Sequence, residues 1–352
     1  MDPRRFLLTL AAAACSSPAA AGDADTAALD TAALEISSAD ASAPVADGSA
    51  DAADAPAPPS LRPCPTSGKG AVTGDVCHLL TPAESGLPAA GVNANVDQYA
   101  LRPTSGARGR LLVFFNGSGG SPVAGTRGSP AQNYYATARA AGLHVFALSY
   151  RSDDAIGSLC KGNDACLLPT RRTILSGIYQ AGASPALSTV AEHEGAYARL
   201  AAGLKALAER DPAGGWDAFL EPAGAKPGDQ IRWAKVIASG HSQGGGHAAA
   251  IAMAFEVDRL VALSSPCDQT ASGPATWLDA AKYAYATSPA AKFHGLGAAG
   301  DAICAGYPAI WKALGMAQER SHANAVVCTG STPHGASIDC VENAPKWSQM
   351  LQ

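Results

Sequence analysis

The stretch Gly240-His241-Ser242-Gln243-Gly244 places a serine with a glycine two residues away on each side. An apolar, strand-like run at residues 234–239 precedes it, and a run of small residues at 244–255 follows with helical character. A serine on a sharp strand-to-helix turn holds its hydroxyl clear of a sheet and within reach of a base. Glycines on either side let neighbouring backbone pass without a Cβ clash. The chemistry served by such a setting is nucleophilic attack on an acyl carbon. In a chain with 37 glycines the five-residue pattern alone would mean little; the strand before it and the helix after it give it weight.

An activated serine needs a base and an acid, and in this arrangement both follow it in the chain, acid first. Asp301 stands after the apolar run 293–298, and His334 stands after the run 323–327. Each is thereby expected at a strand C-terminal end, where open α/β sheets collect their ligands. His334 is the expected acceptor of the Ser242 proton, with Asp301 fixing the imidazole tautomer and stabilising its cation. Asp268, after the preceding strand, is the rival acid. His322 is the rival base, set before its strand rather than after it. His241 reads as a packing or substrate-side residue and His247 as structural, while His78, His144, His193 and His294 default to structural roles.

The developing oxyanion also needs donors. One is the backbone N–H of Gln243 at the helix N-terminus. The second is expected from Asn116-Gly117-Ser118-Gly119-Gly120, with Gly117 or Ser118 as donor, although the stretch also reads as a plain glycine-rich turn. Other chemistries fail on their residues. His193-Glu194 has Tyr197 where a zinc-protease helix needs a second His. Gly117-x-Gly119 meets Pro122 where a dinucleotide fingerprint needs Gly, and no G-x-x-x-x-G-K-[ST] occurs. No metal and no cofactor are expected.

The elements that must position these groups alternate. Strands are predicted at 111–115, 144–148, 234–239, 259–264, 293–298 and 323–327, and helices at 131–141, 191–210, 244–255, 307–314 and 344–351. Leu200, Leu204 and Leu207 repeat at helical spacing in the second of these helices. This rhythm predicts an α/β protein whose mostly parallel central sheet is flanked by helices. Residues 152–188 break the rhythm and are expected to form a small cap over the C-terminal edge of the sheet.

Arg4 and Arg5, the apolar run 6–14 and then Cys15 have the layout of a signal peptide over residues 1–15. The apolar run is too short to span a bilayer. Cys15 after small residues resembles a lipoprotein signal, with Ala12 where Leu is usual; cleavage after Ala14 or near Ala21 is the competing reading. The arginine pair before Phe6 resembles a twin-arginine signal with its spacing off by one. Residues 16–62 are mostly Ala, Asp, Ser and Pro and are expected to be a disordered tether, followed by a folded body at 63–352. The formal net charge of −5 arises in that tether, which leaves the body nearly neutral. Without a Lys/Arg run, no nucleic-acid partner is expected. Eight cysteines follow Cys15 with no metal-type spacing, so disulfides in an oxidising compartment are expected. Placed on this layout, proximity pairs Cys64–Cys77, Cys160–Cys166, Cys267–Cys304 and Cys328–Cys340. The last two would clamp the loops of Asp301 and His334.

With these residues in hand, the chain resembles a group of secreted bacterial α/β-hydrolases. The resemblance covers most of residues 111–351 and is most specific across residues 238–249, Ala-Ser-Gly-His-Ser-Gln-Gly-Gly-Gly-His-Ala-Ala. Gly215-Trp216, Phe219-Leu220, Leu263-Ser264-Ser265-Pro266 with Asp268, Trp311-Lys312-Ala313-Leu314-Gly315 and Pro333-His334-Gly335 support it. It implies the α/β-hydrolase fold, the triad Ser242, Asp301 and His334, and a Cys160–Cys166 pair. It departs at Asn116, where the group has Pro. The expected activity is hydrolysis of a small-molecule or polymeric carboxylic ester by an exported monomer, membrane-bound only through a lipid at Cys15. A peptidase or amidase on the same triad, and a tethered binding protein without catalysis, are the competing expectations, because a fold does not choose the bond.

Overall fold

The computed structural model describes residues 60–64, 76–88, 95–123, 131–326, 328 and 330–352. The signal peptide, Cys15 and the tether up to residue 59 lie outside the described residues. Along the chain the strands are β1 (Arg62–Pro63), β2 (Cys77–Leu80), β3 (Gln98–Leu101), β4 (Leu111–Phe115), β5 (His144–Leu148), β6 (Val236–His241), β7 (Arg259–Leu263), β8 (Gln269–Thr270), β9 (Gly273–Pro274), β10 (Phe293–Leu296) and β11 (Ser321–His322). The helices are α1 (Gln132–Ala140), α2 (Ile156–Cys160), α3 (Asp164–Ser176), α4 (Ala196–Arg210), α5 (Gln243–Ala254), α6 (Pro289–Lys292), α7 (Tyr307–Ala313), α8 (Ala336–Asp339) and α9 (Ala344–Leu351).

Among the described residues, nine strands form one sheet in the order β1-β2-β3-β5-β4-β6-β7-β10-β11. The first pairings, β1 with β2, β2 with β3 and β3 with β5, are antiparallel. From β5 to β11 every pairing is parallel. A parallel strand must be covered on both faces, which explains why β4, β5 and β6 are buried along their whole length. Alternation divides β4 cleanly. Leu111, Val113 and Phe115 enter one core with Leu200 and Leu204 of α4 and Ile251 of α5. Leu112 and Phe114 enter the other with Tyr134 and Tyr135 of α1 and Trp347 of α9. The mostly parallel sheet flanked by helices is therefore the fold class expected above.

Most element bounds move by one or two residues, the strand expected at 293–298 ending at Leu296, and three departures have a local cause. The helix expected over 191–210 begins at Ala196, because Gly195 is extended (φ −63°, ψ 145°) and separates it from a single 3-10 turn, Glu192–Glu194. The strand expected at 234–239 is shifted to Val236–His241, since Trp233–Lys235 is a 3-10 turn. The strand expected at 323–327 is instead the two-residue β11, one step earlier. Asn324 turns the chain through the left-handed region (φ 57°) and ends the extended run, while Val327 lies outside the described residues. His322 is thus inside its strand rather than before it.

Candidate active site

Ser242 follows the last residue of β6 and precedes the first of α5, with φ 56° and ψ −124°. A non-glycine residue rarely adopts such a positive φ, and here the surrounding glycines make it attainable. A Cβ on Gly240 would overlap the backbone of Gly244, and one on Gly244 would overlap the Phe115 carbonyl oxygen of β4. The turn therefore packs backbone against backbone at both glycines, which lifts Ser242 above the strand ends.

His334 and Asp301 meet across 33 positions. His334 Nδ1 lies 2.9 Å from Asp301 Oδ2. Because a carboxylate only accepts, Nδ1 carries the proton, and the lone pair of the ring is left on Nε2. Asp301 is held in turn. Its Oδ1 accepts the backbone N–H groups of Ile303 and Cys304, each at 3.0 Å, and the residue is buried. The Cys267–Cys304 disulfide ties this acid loop to the loop after β7. The structure also joins Cys64–Cys77, Cys160–Cys166 and Cys328–Cys340, the remaining pairs drawn from proximity. All four Cα–Cα separations, 5.5, 5.5, 4.8 and 5.9 Å, suit a disulfide.

Ser242 and His334 line one cavity of about 410 Å³, together with Gly117, Ser118 and His241. No hydrogen bond joins Ser242 Oγ to the His334 ring among the described residues; Oγ lies 3.8 Å from Cys267 Sγ. Catalytic hydrogen bonds are often long before substrate binds. Gly117 abuts the serine: a Cβ there would stand 3.1 Å from Ser242 Cβ. Ser118 Oγ donates to Gln243 Oε1 at 2.8 Å, and the same oxygen accepts the Ile156 N–H at 2.9 Å. The Gln243 side chain thus fastens the first glycine-rich turn to α2 beside the nucleophile. Among the described residues the backbone N–H groups of Gly117 and Ser118 donate to no backbone acceptor, which leaves both as oxyanion candidates.

The remaining histidines and the rival acid take other roles. Among the described residues Asp268 makes no hydrogen bond to an imidazole. It is buried in a two-point ion pair with Arg171, whose Nε donates to Oδ2 at 2.8 Å, and it also accepts from Trp277 Nε1 at 3.0 Å. His322, the rival base, gives its carbonyl to Gly297 N–H in the sheet. His247 is sealed between Phe115 and Tyr150, and burial holds its pKa far below the ordinary value. His144 meets the Gly214 carbonyl at 2.7 Å and packs on Trp216. His241 packs on His334, with ring centroids 4.5 Å apart. Burial, with His334 beside it, lowers its pKa to about 4. It is neutral above that pH, and its Nε2–H donates to the His334 carbonyl at 2.8 Å. His241 is thereby a strut for the backbone of His334, a contact that adjacency to the serine did not reveal. Arg171 was also missed. Its Nη1 donates to the Gln243 carbonyl at 2.8 Å, and its partner Asp268 is 97 residues away, so no local pattern announced it.

No protein-family model matches the chain, and no curated protein matches it. Several solved structures are similar in shape. Esterase 2 of Thermogutta terrifontis is 14% identical, with 79% of this chain and 94% of that chain covered and a TM-score of 0.41. An esterase of Pyrobaculum calidifontis is 16% identical, with 79% and 84% covered and a TM-score of 0.40. EstE1, a carboxylesterase cloned from a metagenomic library, is 14% identical, with 79% and 90% covered and a TM-score of 0.39. The strand order of the sheet and the strand–serine–helix turn at Ser242 decide the architecture. The fold is the α/β-hydrolase fold.

Proposed function

We propose that the chain is an exported serine hydrolase that cleaves carboxylic esters through an acyl-enzyme on Ser242. The observation that carries the reading is the joint placement of three groups. Ser242 stands on a positive-φ turn, the ring of His334 shares its cavity, and Asp301 fixes the tautomer of that ring.

In the proposed mechanism Ser242 Oγ turns toward His334 Nε2 as substrate enters. Oγ attacks the ester carbonyl carbon while Nε2 takes its proton, and Asp301 stabilises the imidazolium. The tetrahedral oxyanion is met by the Gln243 N–H and by Gly117 or Ser118, a type of contact in which one donor is worth about 100- to 1000-fold in rate. The carbon–oxygen bond to the alcohol then breaks as His334 returns the proton to the leaving oxygen. Water, deprotonated by the same Nε2, resolves the acyl-enzyme and frees Ser242. Export is supported by the four disulfides, since such bonds persist in oxidising compartments. The lipid attachment proposed at Cys15 would make the product cell-bound, and radiolabelled palmitate incorporation lost in Cys15→Ser would detect it.

The choice of bond is tested with an ester and an anilide that share one acyl group. Hydrolysis of the ester at least about 100-fold faster, and abolished by Ser242→Ala, is the expected result. Equal or faster cleavage of the anilide would move the activity to the amidase reading.

A further inference from the structure

A second, smaller cavity of about 210 Å³ is also lined by Ser242. Both cavities are lined by Ser118, Ala155, Ser242 and Ile303, so they meet at the nucleophile. His334 lines only the larger. Resting on the serine-hydrolase reading above, this asymmetry orients the substrate. The oxygen that leaves in acylation must receive its proton from His334, so the alcohol half lies on the larger side. The acyl half, attached to the other bond of the carbonyl carbon, points into the smaller cavity. We propose that this smaller cavity is the acyl pocket, that it restricts the substrate to esters of short-chain carboxylic acids, and that Leu167 and the bare Cα of Gly157 set the length limit.

The walls match that assignment. Ile156 and Gly157 come from α2, Leu167 from α3, and Cys267 from the loop after β7. Cys160–Cys166 ties α2 to α3, and Cys267–Cys304 ties the opposite wall to the loop of Asp301, so the pocket is braced on two sides. Arg171 also lines it, yet each of its three guanidinium nitrogens is engaged, two by Asp268 and one by the Gln243 carbonyl. It offers no free charge to an anionic acyl group. At the lip Ile303 is 71% exposed while its N–H is fixed on Asp301 Oδ1, which gives an apolar edge beside the serine. The volume equals roughly seven waters at about 30 Å³ each, and chain carbons of similar bulk fill it at about six to seven.

The test is a matrix of aryl and alkyl esters, assayed with the full, disulfide-intact chain. One arm varies the acyl group from acetyl to dodecanoyl, and the other keeps butanoyl and varies the alcohol. The acyl arm should fall steeply beyond about six carbons, and the alcohol arm should stay shallow. Gly157 lines the pocket and a Cβ there would meet nothing within 4 Å, so Gly157→Phe adds a ring at the pocket wall without moving backbone. That variant should lower kcat/KM for hexanoyl esters about 10- to 100-fold more than for acetyl esters. Leu167→Ala should shift the optimum to longer chains. A flat acyl profile, or profiles that both variants leave unchanged, would overturn the pocket assignment while ester hydrolysis lost in Ser242→Ala still stood. Absence of hydrolysis toward every ester would remove the hydrolase reading and this proposal together.

Discussion

Asp301→Asn is expected to lower kcat about 10,000-fold while the protein remains folded. The Asp301 carboxylate receives three N–H groups, two from backbone on Oδ1 and one from His334 on Oδ2. An amide must keep its oxygen toward the two backbone donors, which places its NH2 against His334 Nδ1. Two donors cannot face each other, so Nδ1 would lose its proton and Nε2 would carry it. A ring protonated on Nε2 cannot accept the serine proton. The neighbouring acid gives the contrast. Asp268→Asn leaves the His334 tautomer alone but breaks a buried ion pair with Arg171, expected to cost about 3–5 kcal/mol. Steady-state kinetics and thermal melting of the two variants should therefore separate, with rate lost in one and stability in the other. Large rate loss in a fully stable Asp268→Asn would reinstate the rival acid.

Gly244→Ala is expected to destabilise the fold by about 3–5 kcal/mol, or to prevent soluble expression. The single added carbon would overlap the Phe115 carbonyl oxygen of β4, which is backbone in a central strand and cannot rotate away. The elbow and the strand would have to part, in a core packed on both faces. Gly119→Ala is the control. Gly119 has a positive φ of 67°, but a Cβ there would meet nothing within 4 Å, so a cost of only about 1–2 kcal/mol is expected. Chemical denaturation of both variants checks the pair. A Gly244→Ala protein as stable as Gly119→Ala would mean that the turn is not packed as described.

The parts of the molecule that a reader of the sequence could find are those written in local patterns. The runs of β4 and β5 are continuously apolar because both faces of each strand are buried, and they were found at their true bounds. The elbow was legible because its glycines are a local steric necessity. The antiparallel strands β2 and β3 were not found: four residues each, Cys-His-Leu-Leu and Gln-Tyr-Ala-Leu, carry too little pattern, and partners across the sheet make them strands. β11 was displaced because Ala323, Ala325 and Val326 look strand-like, although the left-handed Asn324 breaks their path. At the site, Ser242 was named from its glycine-flanked turn and Asp301 and His334 from their places after later strands, and the structure brings the last two into contact. The strut from His241 and the brace from Arg171 depend on partners 93 and 72 residues distant, which only the folded chain supplies.

The central claim is that Ser242 is an activated nucleophile. A fluorophosphonate, which transfers its phosphorus to an activated serine oxygen with loss of fluoride, addresses it directly. The full, disulfide-intact chain is treated, digested, and its adducts are mapped by mass spectrometry. A single adduct on Ser242, absent from Ser242→Ala and strongly slowed in Asp301→Asn, is the predicted result. A folded protein that forms no adduct, or one that labels equally well without Ser242, would contradict it.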